Sequence, residues 1–418
     1  MADRGASAEH RRHSREGFVL ELHEAPRLGD IQRTLAAEGN EFIATPFQRA
    51  RFLEAFCRHV PRNCTPFIVT VRERSSSRLA MVLPLLKRQA AALSYIEATD
   101  LGLSDYFAPK VAAWFSPTPH QMADIWAQLR KVLPQADILS LKKLPGELQP
   151  GRANPLVLLP DTVDMGTATK TLELDDVDHP QHYKRSGLYK DGMRNLRKLG
   201  TLGDVEFRVA ESEAQALDLF EQLVAQRRRR FVALEREDPF MDESVQAFYR
   251  DVITNGAPKG EVLFGGLFLN GECIATDMGL VDGDTHHGLI TTMNGDELRR
   301  YSPGTIAFML ILDETMARGI RYYDIGVGEF AYKQRLSGTE MRLYERHEPL
   351  SLRGRVALAD ATARRLVRHG IARYPQLRGP AEAVRSRLRK MRKWVPATAA
   401  PLPDWERLQV AFHAIGVA

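Results

Sequence analysis

The stretch from Arg299 to Lys333, RRYSPGTIAFMLILDETMARGIRYYDIGVGEFAYK, limits what this chain can fold into more than any other. Ser302 is placed to cap a helix, Pro303 fits the first helical position with its preset φ, and Gly304 lets the backbone turn tightly. Ile306, Phe308, Met309, Leu310, Ile311, Leu312 and Met316 make that helix apolar on most sides, so most of its surface must be covered. Gly319 is a left-handed stop, and Ile320 to Ile325 is a short strand rich in β-branched and aromatic residues. A helix that begins straight after a Gly-containing loop points free N–H groups and the positive end of its dipole outward. That makes an anion site, most often for phosphate. Arg299 and Arg300 add fixed charge, so the expected phosphate contacts are Arg299, Arg300, Ser302, Pro303, Gly304 and Thr305. The same S-P-G signature also opens ordinary capped core helices.

Two known patterns overlap here. Arg299, Ser302 and Gly304 give R-x-x-S-x-G, which resembles the Q/R-x-x-G-x-G/A pyrophosphate loop of GNAT acyltransferases, with Ser302 in place of the first Gly. The longer run of SPG, helix, Gly319 and Y-D-I-G-x-G-E-x-x-Y-K resembles the CelD-like acetyltransferases associated with polysaccharide synthesis. That likeness covers residues 180 to 350 well and 18 to 175 loosely. The competing pattern is Gly326, Gly328 and Ala331 as G-x-G-x-x-A after a strand, with Glu345 or Glu348 at the distance of a ribose contact. A dinucleotide site needs a full helix after that turn, and Gly338 comes about two turns later.

A chain of 418 residues, 44% hydrophobic and 8% aromatic, has room for two domains with ample core. No apolar run approaches the ~20 residues that span a bilayer. The N-terminal MADRGASAEHRRHSREG lacks the apolar stretch of a secretory signal. Cys57, Cys64 and Cys273 cannot all pair and form no metal-ligand cluster, so reduced packing residues, a cytoplasmic protein and no metal are expected. The net charge of +5 is unevenly spread: residues 351–400 hold 13 Arg/Lys against Asp360 and Glu382, an excess of +11, leaving −6 elsewhere. Leu366, Val367, Ile371, Val384, Leu388 and Trp394 alternate with those arginines. This reads as a basic amphipathic helical extension suited to an anionic inner-membrane surface or a membrane-bound synthase, or simply to the catalytic lobe.

The element order repeats. A helix over Pro46–Val60 precedes strands near 66–74, 79–88 and 91–98, a helix near 118–132 and a strand near 136–142. After a Pro/Gly-rich connection and an acidic linker over 161–179, a helix over Asp238–Ile253 precedes strands near 261–269, 272–281 and 285–292, the 304–318 helix and the 320–326 strand. Asn270–Gly271 is a type I′ hairpin signal and Asp282–Gly283 marks a second turn. A-F-C-R-H-V at 55–60 echoes A-F-Y-R-D-V at 247–252, an offset of 192.

The expectation is an α+β protein of two tandem GNAT-like lobes with mixed, mostly antiparallel sheets. A tail spans 1–17, an N-terminal lobe 18–170, a catalytic lobe 171–350 and the basic extension 351–418. The first lobe has Leu103–Lys110, L-S-D-Y-F-A-P-K, where the second has SPG, so it is expected to lack a donor site and to serve as acceptor wall or scaffold, through Asp105 and Tyr106. The basic run Lys184–Gly200 resembles the helix that opens the catalytic lobe of the CelD-like group. In Gln226–Phe231, Q-R-R-R-R-F, four successive arginines cannot share one helical face, so some must turn inward or toward a partner, with Arg228 a substrate contact. No interleaved aromatics accompany them, so nucleic acid is not an expected partner.

The resemblance implies acyl transfer from acetyl-coenzyme A to an amine or hydroxyl of a sugar, polysaccharide precursor or small metabolite. Related FemABX-type enzymes place a lysine at the transferred carbonyl, which points to Lys333; Tyr332 could then protonate the leaving thiolate. Glu329 and one of His286 and His287, taken as His286, are base candidates, and Asp324 is expected to cap or pair near the strand end. The alternatives are an aminoacyl-tRNA-dependent FemABX-type transferase and a non-catalytic binding subunit of a polysaccharide-synthesis machine.

Overall fold

The computed structural model describes residues 17–24, 42–59, 64–90, 92–174, 182–294, 297–328 and 335–359. The first half contains β1 (Phe18–Glu24), β2 (Phe42–Ile43), α1 (Ala50–His59), β3 (Cys64–Glu73), β4 (Leu79–Ala90), β5 (Leu93–Ala98), β6 (Lys110–Ala112), α2 (Pro119–Val132) and β7 (Ile138–Pro145). A small hairpin, β8 (Glu147–Gln149) and β9 (Arg152–Ala153), leads to β10 (Val163–Glu173). The second half contains α3 (Gly187–Leu199), β11 (Val205–Val209), α4 (Glu213–Ala233), α5 (Glu243–Gly256), β12 (Val262–Leu269), β13 (Glu272–Asp282), β14 (Thr285–Met293), α6 (Pro303–Ala317), β15 (Tyr322–Asp324) and β16 (Thr339–Pro349).

The chain is α+β, built among the described residues on one mixed 14-stranded sheet whose main path runs β1-β3-β4-β5-β7-β16-β10-β15-β14-β13-β12-β11. The two halves share a plan. In each, three antiparallel strands are followed by a helix and a fourth strand that returns parallel to the third. The parallel pairing lasts only three residues in both: Tyr95–Glu97 with Ile138–Ser140, and Thr285–His287 with Tyr322–Asp324. The helices carrying the sequence echo, α1 and α5, pack on each other, with the echoed Phe56 and Phe248 rings 6.4 Å apart and Phe52 against Phe248 at 5.0 Å. One apolar core joins both halves there, from Phe47, Phe56 and Tyr106 to Phe220, Phe248 and Tyr249. Separate cores lie under α2 and α6.

Several expectations shift. The acidic linker is mostly strand: β10 pairs with β16 on one edge and β15 on the other, so the expected lobe boundary at residue 170 falls inside a central strand. Its apolar alternation is weak: only Thr169 and Leu172 of its residues are buried, and its strand character comes from the partners on its two edges. The strand β16 has no counterpart among the elements read from the sequence. It also removes the dinucleotide reading: only residues 329–334 separate Gly328 from a turn at 335–338 and this strand, and Glu345 is buried in the sheet. The hairpin at Asn270–Gly271 has φ of 52° and 82°, as a type I′ turn requires. Among the described residues no helix is long and apolar enough to cross a membrane. Residues 352–359 are helical; the rest of the basic extension, like residues 1–16 of the expected tail, lies outside the described residues.

The arginine run splits as geometry demands. Arg227 is wholly enclosed, its guanidinium against Asp238 (Nη2 to Oδ1, 2.7 Å) and over the Phe240 ring at 4.4 Å. Arg228 stays exposed beside the Met241 sulfur, and Arg229 donates to Asn294. Breaking a buried pair strands one charge in the interior. Asp238→Ala is therefore expected to cost about 3–5 kcal/mol of unfolding free energy, and Arg228→Ala under about 0.5 kcal/mol, as read by urea denaturation. Equal midpoints for the two variants would show that the buried pair contributes little.

Candidate active site

The site lies where β14 and β15 part. After His287 the free edge of β14, residues 288–293, has no strand partner on that side among the described residues, while β15 ends at Asp324. The start of α6 belongs to the same lobe, and its geometry differs from that of its counterpart. At the start of α2, Thr118 and Gln121 form a reciprocal capping box that occupies the helix end. At the start of α6, Ser302 is left-handed (φ 51°, ψ 57°) and its side chain caps nothing, which corrects the expected serine cap. Thr305 and Ile306 both donate their amides to the Ser302 carbonyl, at 2.9 and 3.2 Å. Pro303 has no N–H, so the Gly304 amide is the first-turn donor that the helix leaves unused. The Thr305 hydroxyl is buried without a hydrogen-bond partner. An uncapped end with an unused amide and an orphan hydroxyl suits an anion. Arg299 and Arg300 stand exposed in the preceding turn, Arg300 over the Tyr301 ring at 4.9 Å.

At the base of the split, four donors converge on Asp324. Its Oδ1 lies 2.8 Å from the Tyr106 hydroxyl, 2.8 Å from Thr169 Oγ1 and 2.9 Å from the Gly326 amide; its Oδ2 lies 3.1 Å from His287 Nδ1. Burial pushes this carboxyl up, but the His287 hydrogen bond and charge, the tyrosine hydroxyl and the glycine amide outweigh it and hold it below the ordinary aspartate value. An ionised carboxylate only accepts, so Nδ1 of His287 carries the hydrogen, and in the neutral ring Nε2 holds the lone pair. That nitrogen makes no hydrogen bond among the described residues. The ring is half-buried, edge-on to Phe47 at 6.3 Å and to Tyr106 at 6.4 Å. A histidine oriented by a buried carboxylate is the arrangement a general base needs.

The two histidines of β14 fall on opposite faces. His286 is fully buried on the opposite face, with Nδ1 2.7 Å from Thr315 Oγ1, whose own hydrogen goes to the Ile311 carbonyl. Burial first, then the His287 and Arg318 charges, bring its pKa down to about 3. It packs edge-on to Tyr323 at 4.7 Å and is a core residue, not the base expected of it.

Asp105 and Tyr106 do reach the second half, but as buried supports rather than as an open acceptor wall. Burial, followed by the Asp324 and Asp105 charges, raises the Tyr106 hydroxyl well above its ordinary value, so it donates and stays neutral. The Val327 amide donates to Asp105 Oδ2 at 3.3 Å. This approach requires Gly326, whose φ is +75° and whose missing Cβ would collide with that oxygen. Arg228 is well outside this group of contacts, on the exposed side of α4. Glu329, Tyr332 and Lys333 lie outside the described residues, directly after the chain leaves the site at Gly328.

One buried acid went unnoticed in the sequence. Asp277, in the middle of β13, accepts from Thr291 Oγ1 at 2.6 Å, while its other oxygen has no partner. Burial raises its pKa from 3.8 to about 7. An aspartate inside the apolar run ECIATDMGLV was the available signal.

Residues 188–334 match the family described as acetyltransferase (GNAT) domain. No curated protein matches. Similar solved structures include a tandem GNAT protein from the clavulanic acid biosynthesis pathway (13% identity, 80% of this chain and 99% of that one, TM-score 0.45). FemX is another (10%, 76% and 95%, 0.47), as is L-PGS from Bacillus licheniformis (12%, 79% and 95%, 0.47). At these scores the function of those proteins says nothing about this one. What stands is that the part of the chain from α3 to β15 is similar to a GNAT acetyltransferase domain.

The raised acid gives a pH signature. Between pH 3.8 and about 7 the folded chain keeps a proton on Asp277 that the unfolded chain has released. The stability it contributes is full below 3.8 and is lost as pH rises to about 7. Wild type should therefore lose stability relative to Asp277→Asn across that window in parallel urea titrations. A difference independent of pH would mean that the carboxyl is ionised in the folded state.

Proposed function

We propose that this chain is an acyltransferase that moves an acetyl or other acyl group from acyl-coenzyme A to an amine or hydroxyl. The observation that carries this reading is the His287–Asp324 pair at the base of the split between β14 and β15, in a lobe whose buried helix starts uncapped. The Gly304 amide, the Thr305 hydroxyl and the charges of Arg299 and Arg300 would hold the pyrophosphate. The thioester supplies an activated carbonyl carbon and a thiolate leaving group. His287 Nε2 takes the proton from the acceptor as the new bond to that carbon forms and the carbon–sulfur bond breaks. Asp324 keeps His287 in the right tautomer and stabilises the imidazolium, and His287 itself, Tyr106 and the Gly326 amide keep Asp324 ionised. Lys333 as oxyanion donor and Tyr332 as the proton source for the thiolate complete the reading, with Glu329 as a further base candidate.

A CelD-like role, with a sugar or polysaccharide precursor as acceptor, is the finer form of this proposal and comes from the sequence pattern alone. A tRNA-fed alternative would use the arginine run for nucleic-acid contacts, and there Arg227 and Arg229 are already engaged within the protein.

Calorimetry with acetyl-coenzyme A tests the donor site. Wild type should bind and Gly304→Val, checked to melt like wild type, should not; no binding to wild type would end the acetyl-donor reading. In thiol-release assays over an acceptor panel, His287→Gln should lower kcat about 10²–10⁴-fold while leaving acetyl-coenzyme A affinity unchanged. An unchanged kcat would remove His287 from the mechanism.

A further inference from the structure

Lys110, at the start of β6, is an anomaly among the buried charges. It is only 9% exposed, yet among the described residues it makes no ion pair. Buried ammonium groups are ordinarily paired, because an uncompensated charge in the interior is costly. Other buried cations here obey the rule: Lys143 meets Asp100 at 2.8 Å, Arg88 meets Glu97, and Arg227 meets Asp238. The charged groups acting on Lys110 are Arg49 and Asp282. Asp282 is already taken, both of its oxygens lying 3.0 and 3.1 Å from Arg49 Nε. Desolvation first, then the Arg49 charge, lower the lysine to about 8 against the opposing pull of Asp282.

The cluster is next to the proposed base. Arg49 follows the 46–48 turn, whose Phe47 ring packs on His287 and whose Gln48 donates to the Tyr106 carbonyl. Asp282 pairs in register with Thr285, and His287 is two residues further along β14 on the same face, about 7 Å on. The Arg49–Asp282 pair and the Phe47 ring thus connect the surroundings of Lys110 to those of His287.

We propose that Lys110, with Arg49 beside it, is the seat of a carboxylate carried by the acceptor. The assignment to the acceptor rests on the acyl-transfer reading; the anion seat does not. One uncompensated positive charge matches a monoanion better than a phosphate dianion, since Arg49 already has its partner. The acceptor is then an amino acid or an acidic sugar, both of which present a carboxylate near a nucleophilic amine or hydroxyl.

The test uses the full-length protein and needs no acyl donor. The rate at which Lys110 is acetylated by an amine-reactive succinimidyl ester at pH 8 is followed by peptide mass spectrometry, with exposed Lys259 as internal control. N-acetylglycine, glucuronate, their neutral counterparts N-acetylglycinamide and glucose, and inorganic phosphate are each added in turn. At ligand about tenfold above its midpoint, mass action should slow Lys110 labelling about tenfold, with Lys259 unaffected. Protection by a carboxylate and not by its neutral counterpart supports the seat, and whichever carboxylate protects at lower concentration names the source. Equal labelling throughout, protection by neutral compounds, or protection by phosphate alone overturns it. Acetyl-coenzyme A calorimetry, read separately, shows whether the acyl-transfer reading has failed instead.

Discussion

The carboxylate of Asp324 is the point through which the two halves of the molecule are held in working alignment. Its hydrogen-bond partners come from four places: Tyr106 in the first half, Thr169 on the joining strand, His287 on β14 and the backbone of Gly326. A buried charge is tolerable only when its lone pairs are this well satisfied, and each donor is fixed by the one geometry that satisfies it. The same contacts set the histidine tautomer. Tertiary assembly and the chemistry of the site therefore rest on one buried ion.

The repeated plan explains how the labour is divided. Both halves place a helix after a three-strand meander, and both pair the next strand for only three residues before parting. In the first half the helix end is closed by Thr118 and Gln121, and the residues beyond β5 reach across the interface as Asp105 and Tyr106. In the second half the equivalent helix end is left uncapped by a left-handed Ser302. One copy keeps the uncapped helix end, and the other sends Asp105 and Tyr106 to Val327 and Asp324 of that half. The helices α1 and α5 hold the copies together through an aromatic cluster in which echoed positions meet, much as equivalent residues meet across a symmetric dimer interface.

Much of this was legible along the chain. The meanders, the Asn270–Gly271 turn, the buried α6 helix and its Pro303–Gly304 start follow from period, turn chemistry and the preset φ of proline, all of which act over a few residues. The choice between His286 and His287 did not. Alternation says that the two point to opposite faces, but which face is which depends on the register of β14 against β13 and β15, and that register is a long-range property. The strands β10 and β16 were missed for a related reason. Their residues look like linker because burial there comes from partners far off in sequence, with Thr169 and Leu172 sealed by strand β15 more than 150 positions away.

What the sequence determined by itself is therefore local: where helices start and stop, where hairpins turn, and that four adjacent arginines could not all stay in solvent. Only the tertiary structure decided which arginine went inside, which histidine met the carboxylate, and that Lys110 would be enclosed without an ion pair among the described residues. Those outcomes depend on the field and packing of residues brought together from both halves, and no window of neighbouring residues contains that information.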